Sequence, residues 1–169
     1  WLWVARSNEL SKPGSFITTD IIGYPIIVLR DHSNNLRAFH NVCRHRAAKV
    51  VSSKSGVCKH MICPYHGWKY DLNGQLMDTP KFFANEDFDE SRHSLFDILI
   101  EERFGLIFVN FNMKSQSLKK WLGGFDDVKP RSFFYHHNKS EQITYISTGI
   151  GNNIYDALID VTINDDSVY

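Results

Sequence analysis

Short runs of apolar and β-branched residues recur along the first two thirds of the chain. In order, they are SFITTDI, YPIIVLR, LRAFHNV, HMICP, LFDILIEE and GLIFVNF. Runs of this length, bounded by Gly, Pro, Asn and Asp, are typical of β-strands. Because the strands are short and regularly spaced, the pattern predicts an all-β domain built as a small antiparallel sandwich or barrel.

Turn signals mark where these strands begin and end. KPG precedes SFITTDI, DHSNN links YPIIVLR to LRAFHNV, and RFG separates the last two runs. DLNG follows WKY and contains Asn-Gly, the strongest short signal for a β-hairpin. The pattern therefore predicts turns at these points and a hairpin at DLNG.

The character of the chain changes after Asn112. SLKKWLGGFDDV predicts the start of a short helix, and no Lys or Arg follows Ser140 while four Asp residues accumulate. We therefore expect a first domain over residues 1–112. Residues 113–169 are expected to form a linker and an incomplete start of a further domain, or a short mixed C-terminal tail.

Composition excludes several classes of protein. The 169 residues are 43% hydrophobic and 14% aromatic, which is a globular composition, and 19 basic residues balance 19 acidic ones. No Lys/Arg stripe indicates a nucleic-acid partner, and no apolar run has the length of a membrane span. Three cysteines make a poor disulfide framework, and no signal peptide is visible. We expect an intracellular, soluble protein, cytoplasmic or organellar, and the first residue, Trp1, suggests a piece of a longer product.

Two stretches, CRHR and CPYH, contain residues that bind metals. Cys43 and His45 lie in the first and Cys63 and His66 in the second, with 17 residues between His45 and Cys63. Two thiolates and two imidazoles can hold one tetrahedral zinc, or a two-iron cluster with sulfur ligands on one iron and nitrogen ligands on the other. A zinc finger usually pairs Cys with Cys and His with His, and neither spacing here fits that pattern. A structural zinc module stays open as an alternative.

The two stretches and the residues around them resemble a known family. AFHNVCRHRAAKV followed by CPYHGWKYDLNGQL is similar to the Rieske [2Fe–2S] domain of ring-hydroxylating and choline-monooxygenase-like oxygenases. The resemblance runs to about Asn112 and implies a Rieske-type antiparallel sandwich with a two-loop cluster-binding subdomain. It assigns Cys43 and Cys63 to one iron and His45 and His66 to the other. It also implies that the histidine-bound iron lies near the surface and that electrons leave by that edge.

Neighbouring residues distinguish the branches of this family. Rieske proteins of cytochrome bc complexes carry an extra disulfide where this chain has Arg46 and Tyr65, and a serine where it has Trp68. Loss of the serine hydrogen bond to sulfur implies a lower reduction potential, and both departures favour the oxygenase branch. The resemblance further suggests that Arg46 orients the first loop. Tyr70 is expected either to donate a hydrogen bond to the site or to be a plain core tyrosine.

The other cysteine and histidines have plainer interpretations. Cys58 is expected to be a small buried strand residue, and His40 to be structural at a strand end. His32, His60 and His93 are expected at the surface. The neighbours His136 and His137 would point to opposite faces of a strand, so we assign them no metal.

The second iron site of such oxygenases has no counterpart in this sequence. The family holds a mononuclear Fe(II) with an acid, a His three residues later and a second His five residues after the first. Here His40 and His45 alone have the second spacing, and Arg37 stands where the acid is needed. We therefore assign no catalytic residue, and expect that iron only in a catalytic domain outside this chain.

The resemblance implies a role in single-electron transfer. A reductase or ferredoxin would supply electrons, and the catalytic domain of the same or a neighbouring subunit, in a homotrimer when full length, would receive them. The full-length activity would be O2-dependent hydroxylation or demethylation of an organic substrate, either choline-like or aromatic. The alternative is a self-contained electron carrier like a Rieske ferredoxin, which the oxygenase-like flanks disfavour.

Overall fold

The computed structural model describes residues 1–80 and 88–123. Residues 1–121 form one compact unit, and of a second unit, residues 122–169, only Leu122 and Gly123 are described. The domain division at Asn112 therefore stays a prediction. The interpretations of His136, His137 and the C-terminal tail lie outside the described residues.

The regular secondary structure of the described residues is almost entirely β-strand. The strands are β1 Leu2–Arg6, β2 Ser15–Ile21, β3 Tyr24–Arg30, β4 Leu36–His40, β5 Ser55–Val57, β6 Met61–Ile62, β7 Lys69–Tyr70, β8 Leu76–Asp78, β9 Leu99–Arg103 and β10 Leu106–Asn110. Single 3-10 turns span Ser7–Leu10 and Glu90–His93, and the helix α1 spans Leu118–Leu122. The all-β prediction is confirmed.

Three antiparallel sheets contain these strands. Their strand orders are β1-β10-β9, β4-β3-β2-β5 and β6-β7-β8. The hairpin between β2 and β3 turns through Ile22 and Gly23, which have φ of 51° and 83°. Positive φ at both central residues is what a two-residue turn between twisted strands needs. No helix in the described ranges is long and apolar enough to cross a membrane.

The four central residues of β3, in the run YPIIVLR, are all apolar and all buried. Ile27 and Leu29 pack into a first core, and Ile26 and Val28 pack into a second core on the other face of the same sheet. Because side chains alternate along a strand, a strand buried on both faces must be apolar at every position. The first core consists of Phe16, Ile27, Leu29, Phe39, Cys43, Val50, Met61, Cys63, Trp68, Tyr70, Leu72, Leu76 and Leu95. The second consists of Ala5, Leu10, Ile26, Val28, Ala38, Ile98, Ile107 and Val109.

Several predicted elements differ in extent from the observed ones. The run LRAFHNV leaves the strand after His40, and LFDILIEE pairs regularly only from Leu99, with an isolated bridge from Asp97 to Phe39. The apolar runs missed β1, which begins with two exposed residues, and β5, β7 and β8, which are only two or three residues long. The hairpin predicted at DLNG joins β7 and β8, and the turn predicted at RFG joins the antiparallel strands β9 and β10.

The DLNG turn packs its glycine tightly against the first core. Gly74 has φ of 79°, and a Cβ at this position would lie 2.5 Å from the Phe39 ring. Gly23 has a similar φ of 83°, but a Cβ there would meet nothing within 4 Å. A substitution at Gly23 would therefore meet backbone strain alone, whereas one at Gly74 would meet backbone strain and a steric clash.

We expect Gly74→Ala to destabilise the protein more than Gly23→Ala. Both substitutions carry the cost of a left-handed alanine, about 1 kcal/mol. Gly74→Ala also forces Phe39 to move, which adds about 1–3 kcal/mol. Urea unfolding of both variants measures the difference, and equal free energies of unfolding would contradict the close packing of Gly74.

Candidate metal centre

The first candidate loop runs from Cys43 to Ala48 and follows strand β4. The Cys43 amide donates to the Ala48 carbonyl at 2.8 Å, and the Ala47 amide donates back to the Cys43 carbonyl at 3.0 Å. These two bonds close the loop on itself, so its shape is set largely by its own backbone.

The second loop, Cys63 to Trp68, repeats this backbone pattern. The Cys63 amide donates to the Trp68 carbonyl at 2.9 Å, and the Gly67 amide donates to the Cys63 carbonyl at 3.0 Å. The fifth residue of each loop is left-handed, with φ of 56° at Ala47 and 78° at Gly67. Gly67 adopts this conformation readily because it has no Cβ, and Ala47 adopts it without being a glycine.

The four predicted side chains meet where the two loops face each other. Cys43 and Cys63 are 3% and 1% exposed and interact directly through their sulfurs. The rings of His45 and His66 lie with their centroids 4.6 Å apart, and both residues are half-buried. The site thus has a deep sulfur side and an imidazole side nearer the surface.

Hydrogen-bond donors surround the sulfurs. The backbone amides of Tyr65 and His66 donate to the Cys63 sulfur, and the hydroxyl of the fully buried Tyr70 lies 3.3 Å from Cys43 Sγ. The Tyr70 oxygen accepts the Arg44 amide at 3.1 Å, which leaves its own hydrogen available for the sulfur. Donors of this kind stabilise negative charge on sulfur ligands.

Burial shifts the pKa values of Cys63 and His45 in opposite directions. It raises the pKa of the Cys63 thiol, an effect that the neighbouring Cys43 thiol adds to and the Tyr65 and His66 amides oppose. Burial, with the charges of His66 and Arg46, lowers the pKa of His45. A neutral imidazole is ready to bind a metal, whereas a buried thiol becomes a thiolate most readily beside a cation.

This donor set fits a [2Fe–2S] cluster of the Rieske type. Such a cluster takes two sulfur and two nitrogen ligands, two on each iron. Among the described residues, no three or more His, Cys, Asp or Glu side chains form a site for a single metal ion. In a Rieske cluster each iron has only two protein ligands, so this finding is compatible with a cluster.

A group of stacked rings supports the imidazole side. The His45 ring lies parallel to the Trp68 indole, with 4.9 Å between centroids and 7° between planes. The edges of Phe88 and His93 meet Trp68 at 6.0 Å, and these two rings stack on each other at 4.5 Å. Trp68 therefore fixes the plane of His45. His93, expected at the surface, takes part in this group, and no nearby motif signalled it.

Arg44 makes the contacts that were expected of Arg46. Its guanidinium lies 3.8 Å from the centroid of the Phe96 ring and donates to the carbonyls of Ser94 and Arg92 at 3.5 and 3.4 Å. Arg46 is exposed and acts on the site through its charge. Arg44 therefore ties the first loop to the segment before β9.

Two other predicted positions lie apart from the four side chains. Cys58 follows β5 and is half-buried, not fully buried within a strand, and burial raises the pKa of its thiol. His40 ends β4 as expected and packs with the rings of Tyr24 and Phe111. Both positions have a structural explanation.

Known proteins of similar sequence are oxygenase subunits. The oxygenase subunit of carnitine monooxygenase from Acinetobacter baumannii is 37% identical over 126 residues, which cover 74% of this chain and 34% of that protein. The glycine betaine monooxygenase subunit from Chromohalobacter salexigens is 34% identical, with 75% and 28% covered. The chain thus spans about a third of the length of these curated relatives.

Solved structures show the same fold. A quaternary ammonium Rieske monooxygenase in complex with L-carnitine superposes with a TM-score of 0.71 at 34% identity, covering 75% of this chain and 36% of that one. Naphthalene 1,2-dioxygenase with bound indole gives a TM-score of 0.72 at 28% identity, covering 87% and 33%. The Rieske-type fold expected from the resemblance is confirmed.

The family model for the Rieske [2Fe-2S] domain matches residues 1–88, more than half of the chain. The matched range includes both loops and the four side chains that meet between them. The donor chemistry, the fold and the similar proteins therefore agree, and the chain belongs to the Rieske [2Fe–2S] domain family.

Proposed function

We propose that Cys43 and Cys63 bind one iron of a [2Fe–2S] cluster and that His45 and His66 bind the other. The observation that carries this proposal is the meeting of these four side chains between two loops of the same backbone design. When bound, such a cluster takes up and gives back one electron at a time.

The surroundings of the site favour electron exchange at its histidine side. Cys43 and Cys63 lie in the first core, whereas His45 and His66 are half-buried and the adjacent Tyr65 is 59% exposed. A redox partner that docks at the loop tips would therefore come closer to the imidazoles than to the thiolates. We infer that electrons leave through His45 and His66.

The oxygenase relatives support a place for this chain in oxygen chemistry. We infer that it relays electrons from a reductase or ferredoxin towards a mononuclear iron in the catalytic domain of the same or a neighbouring subunit. Relatives named for carnitine and glycine betaine are 33–37% identical to this chain. These names support a quaternary ammonium compound as the substrate class. The naphthalene dioxygenase relative, which is 33% identical, supports an aromatic compound as the alternative.

We expect Cys63→Ser to abolish cluster binding, while Cys58→Ser leaves it intact. Cys63 lies at the site, whereas Cys58 is a half-buried thiol outside it, so the pair controls for loss of a cysteine as such. Iron and acid-labile sulfide analysis, with the visible spectrum, measures the outcome on protein purified without oxygen.

Each result has a distinct meaning. A full iron complement in Cys63→Ser would contradict the ligand assignment. A colourless wild-type protein that contains zinc would replace the cluster by a structural zinc site. A coloured protein that exchanges electrons but never supports substrate oxidation with an oxygenase domain would favour the electron-carrier alternative.

We expect Tyr70→Phe to lower the reduction potential of the bound cluster. Removal of the hydroxyl deletes a donor to Cys43 Sγ, which stabilises the reduced, more negative state. One such bond contributes about 1 kcal/mol, or roughly 40 mV for a one-electron couple. Redox titration measures the shift.

Tyr24→Phe serves as the matched control for this measurement. Tyr24 is 57% exposed, and phenylalanine keeps its packing with His40 and Phe111. Its potential should equal that of the wild type. An unchanged potential in Tyr70→Phe would show that the hydroxyl does not act on the cluster.

A further inference from the structure

The side chain of Asn41 makes three hydrogen bonds to the backbone at the base of the first loop. Asn41 is 1% exposed and lies two residues before Cys43. Its Oδ1 accepts the amides of Val50 and Val51 at 3.1 and 2.9 Å, and its Nδ2 donates to the Val51 carbonyl at 2.7 Å. The amide thus pairs with both the N–H and the C=O of one residue, as a neighbouring strand would.

The second loop is closed at its base in a different way. There β6 and β7 pair through Met61 with Tyr70 and Ile62 with Lys69, directly beyond Cys63 and Trp68. The first loop has no such ladder, because β4 ends at His40 and no strand is described between that residue and Ser55. The Asn41 side chain stands where the ladder of the first loop would begin.

Asn41 is itself fixed to the central sheet. Its backbone amide donates to the carbonyl of Pro25, in β3, at 2.8 Å. The chain of contacts therefore runs from β3 through Asn41 to Val50 and Val51, the residues that follow the first loop. Both ends of that loop are held by one side chain.

We propose that Asn41 is a positioning residue that holds the first ligand loop closed around the cluster. It acts through the loop on Cys43 and His45 and does not touch the cluster. This inference rests on the proposed function, since it concerns how the same site keeps its cofactor.

Removal of the Asn41 amide leaves buried polar groups without partners. Asn41→Ala deletes all three hydrogen bonds, whereas Asn41→Asp keeps an acceptor for the two amides and loses the donor to the Val51 carbonyl. Unpaired buried groups lower the free energy needed to open the loop locally while the rest of the fold stays intact. Loop opening exposes the ligands, so iron should be lost faster.

The test compares three variants in the iron-loaded protein. Asn41→Ala and Asn41→Asp alter the loop base, and Ile107→Val, in the second core, is a destabilising control remote from the loops. A chelator in excess draws out iron, and the decay of the visible absorbance gives the rate. The EPR spectrum of the reduced protein and the thermal unfolding midpoint are recorded on the same samples.

We expect iron loss about tenfold faster in Asn41→Ala than in the wild type, with Asn41→Asp between them. The EPR lines of Asn41→Ala should broaden, because a loosened loop holds its ligands in a spread of geometries. Ile107→Val should lower the unfolding midpoint and leave the EPR spectrum unchanged. If the Asn41 variants lose iron no faster than Ile107→Val and keep the wild-type spectrum, the proposal is overturned.

Hydrogen exchange in the wild type tests the same idea without substitution. The amides of Val50 and Val51 should be protected as strongly as that of Cys43, which is held by a backbone carbonyl. Rapid exchange at both valines would overturn the proposal even if the variants failed to fold. A wild-type protein that binds no iron would instead refute the proposed function, so the two failures are distinguishable.

Discussion

Two buried thiols lying side by side are the constraint on which the site depends. Burial and the neighbouring Cys43 raise the pKa of the Cys63 thiol, and the backbone amides of Tyr65 and His66 offset only part of that effect. Bound iron ions would supply the missing positive charge. The closed loops and the stacked indole then hold this arrangement in place. Stability of the loops and occupancy of the site are therefore expected to be one coupled property.

The sheet with β3 at its centre connects the two halves of this arrangement. Its two faces supply two separate cores, and the first core contains both cysteines together with Trp68 and Tyr70. Both loops therefore have residues in a packed core, whose side chains are held by close contacts. The site gains a rigid base on its sulfur side, while its imidazole side faces outwards.

Much of this organisation could be predicted from the sequence. Apolar runs located the long strands, and the two Cys–His pairs located the site, because both are local patterns. The very short strands β5, β7 and β8 were not among the predicted runs, since two or three residues carry no periodicity. Arg44, Asn41 and His93 escaped as well, because their importance comes from contacts that the local sequence does not show: Phe96 for Arg44, Val51 for Asn41 and Trp68 for His93.

The left-handed alanine in the first loop has a consequence for sequence variation. Ala47 and Gly67 occupy equivalent places, but alanine tolerates this backbone conformation less readily than glycine. Drift at position 47 should therefore be directional: glycine, asparagine and aspartate are accessible, and β-branched residues are closed to it. A glycine at position 47 would therefore remove backbone strain from the first loop, whereas the second loop already has glycine at the equivalent position.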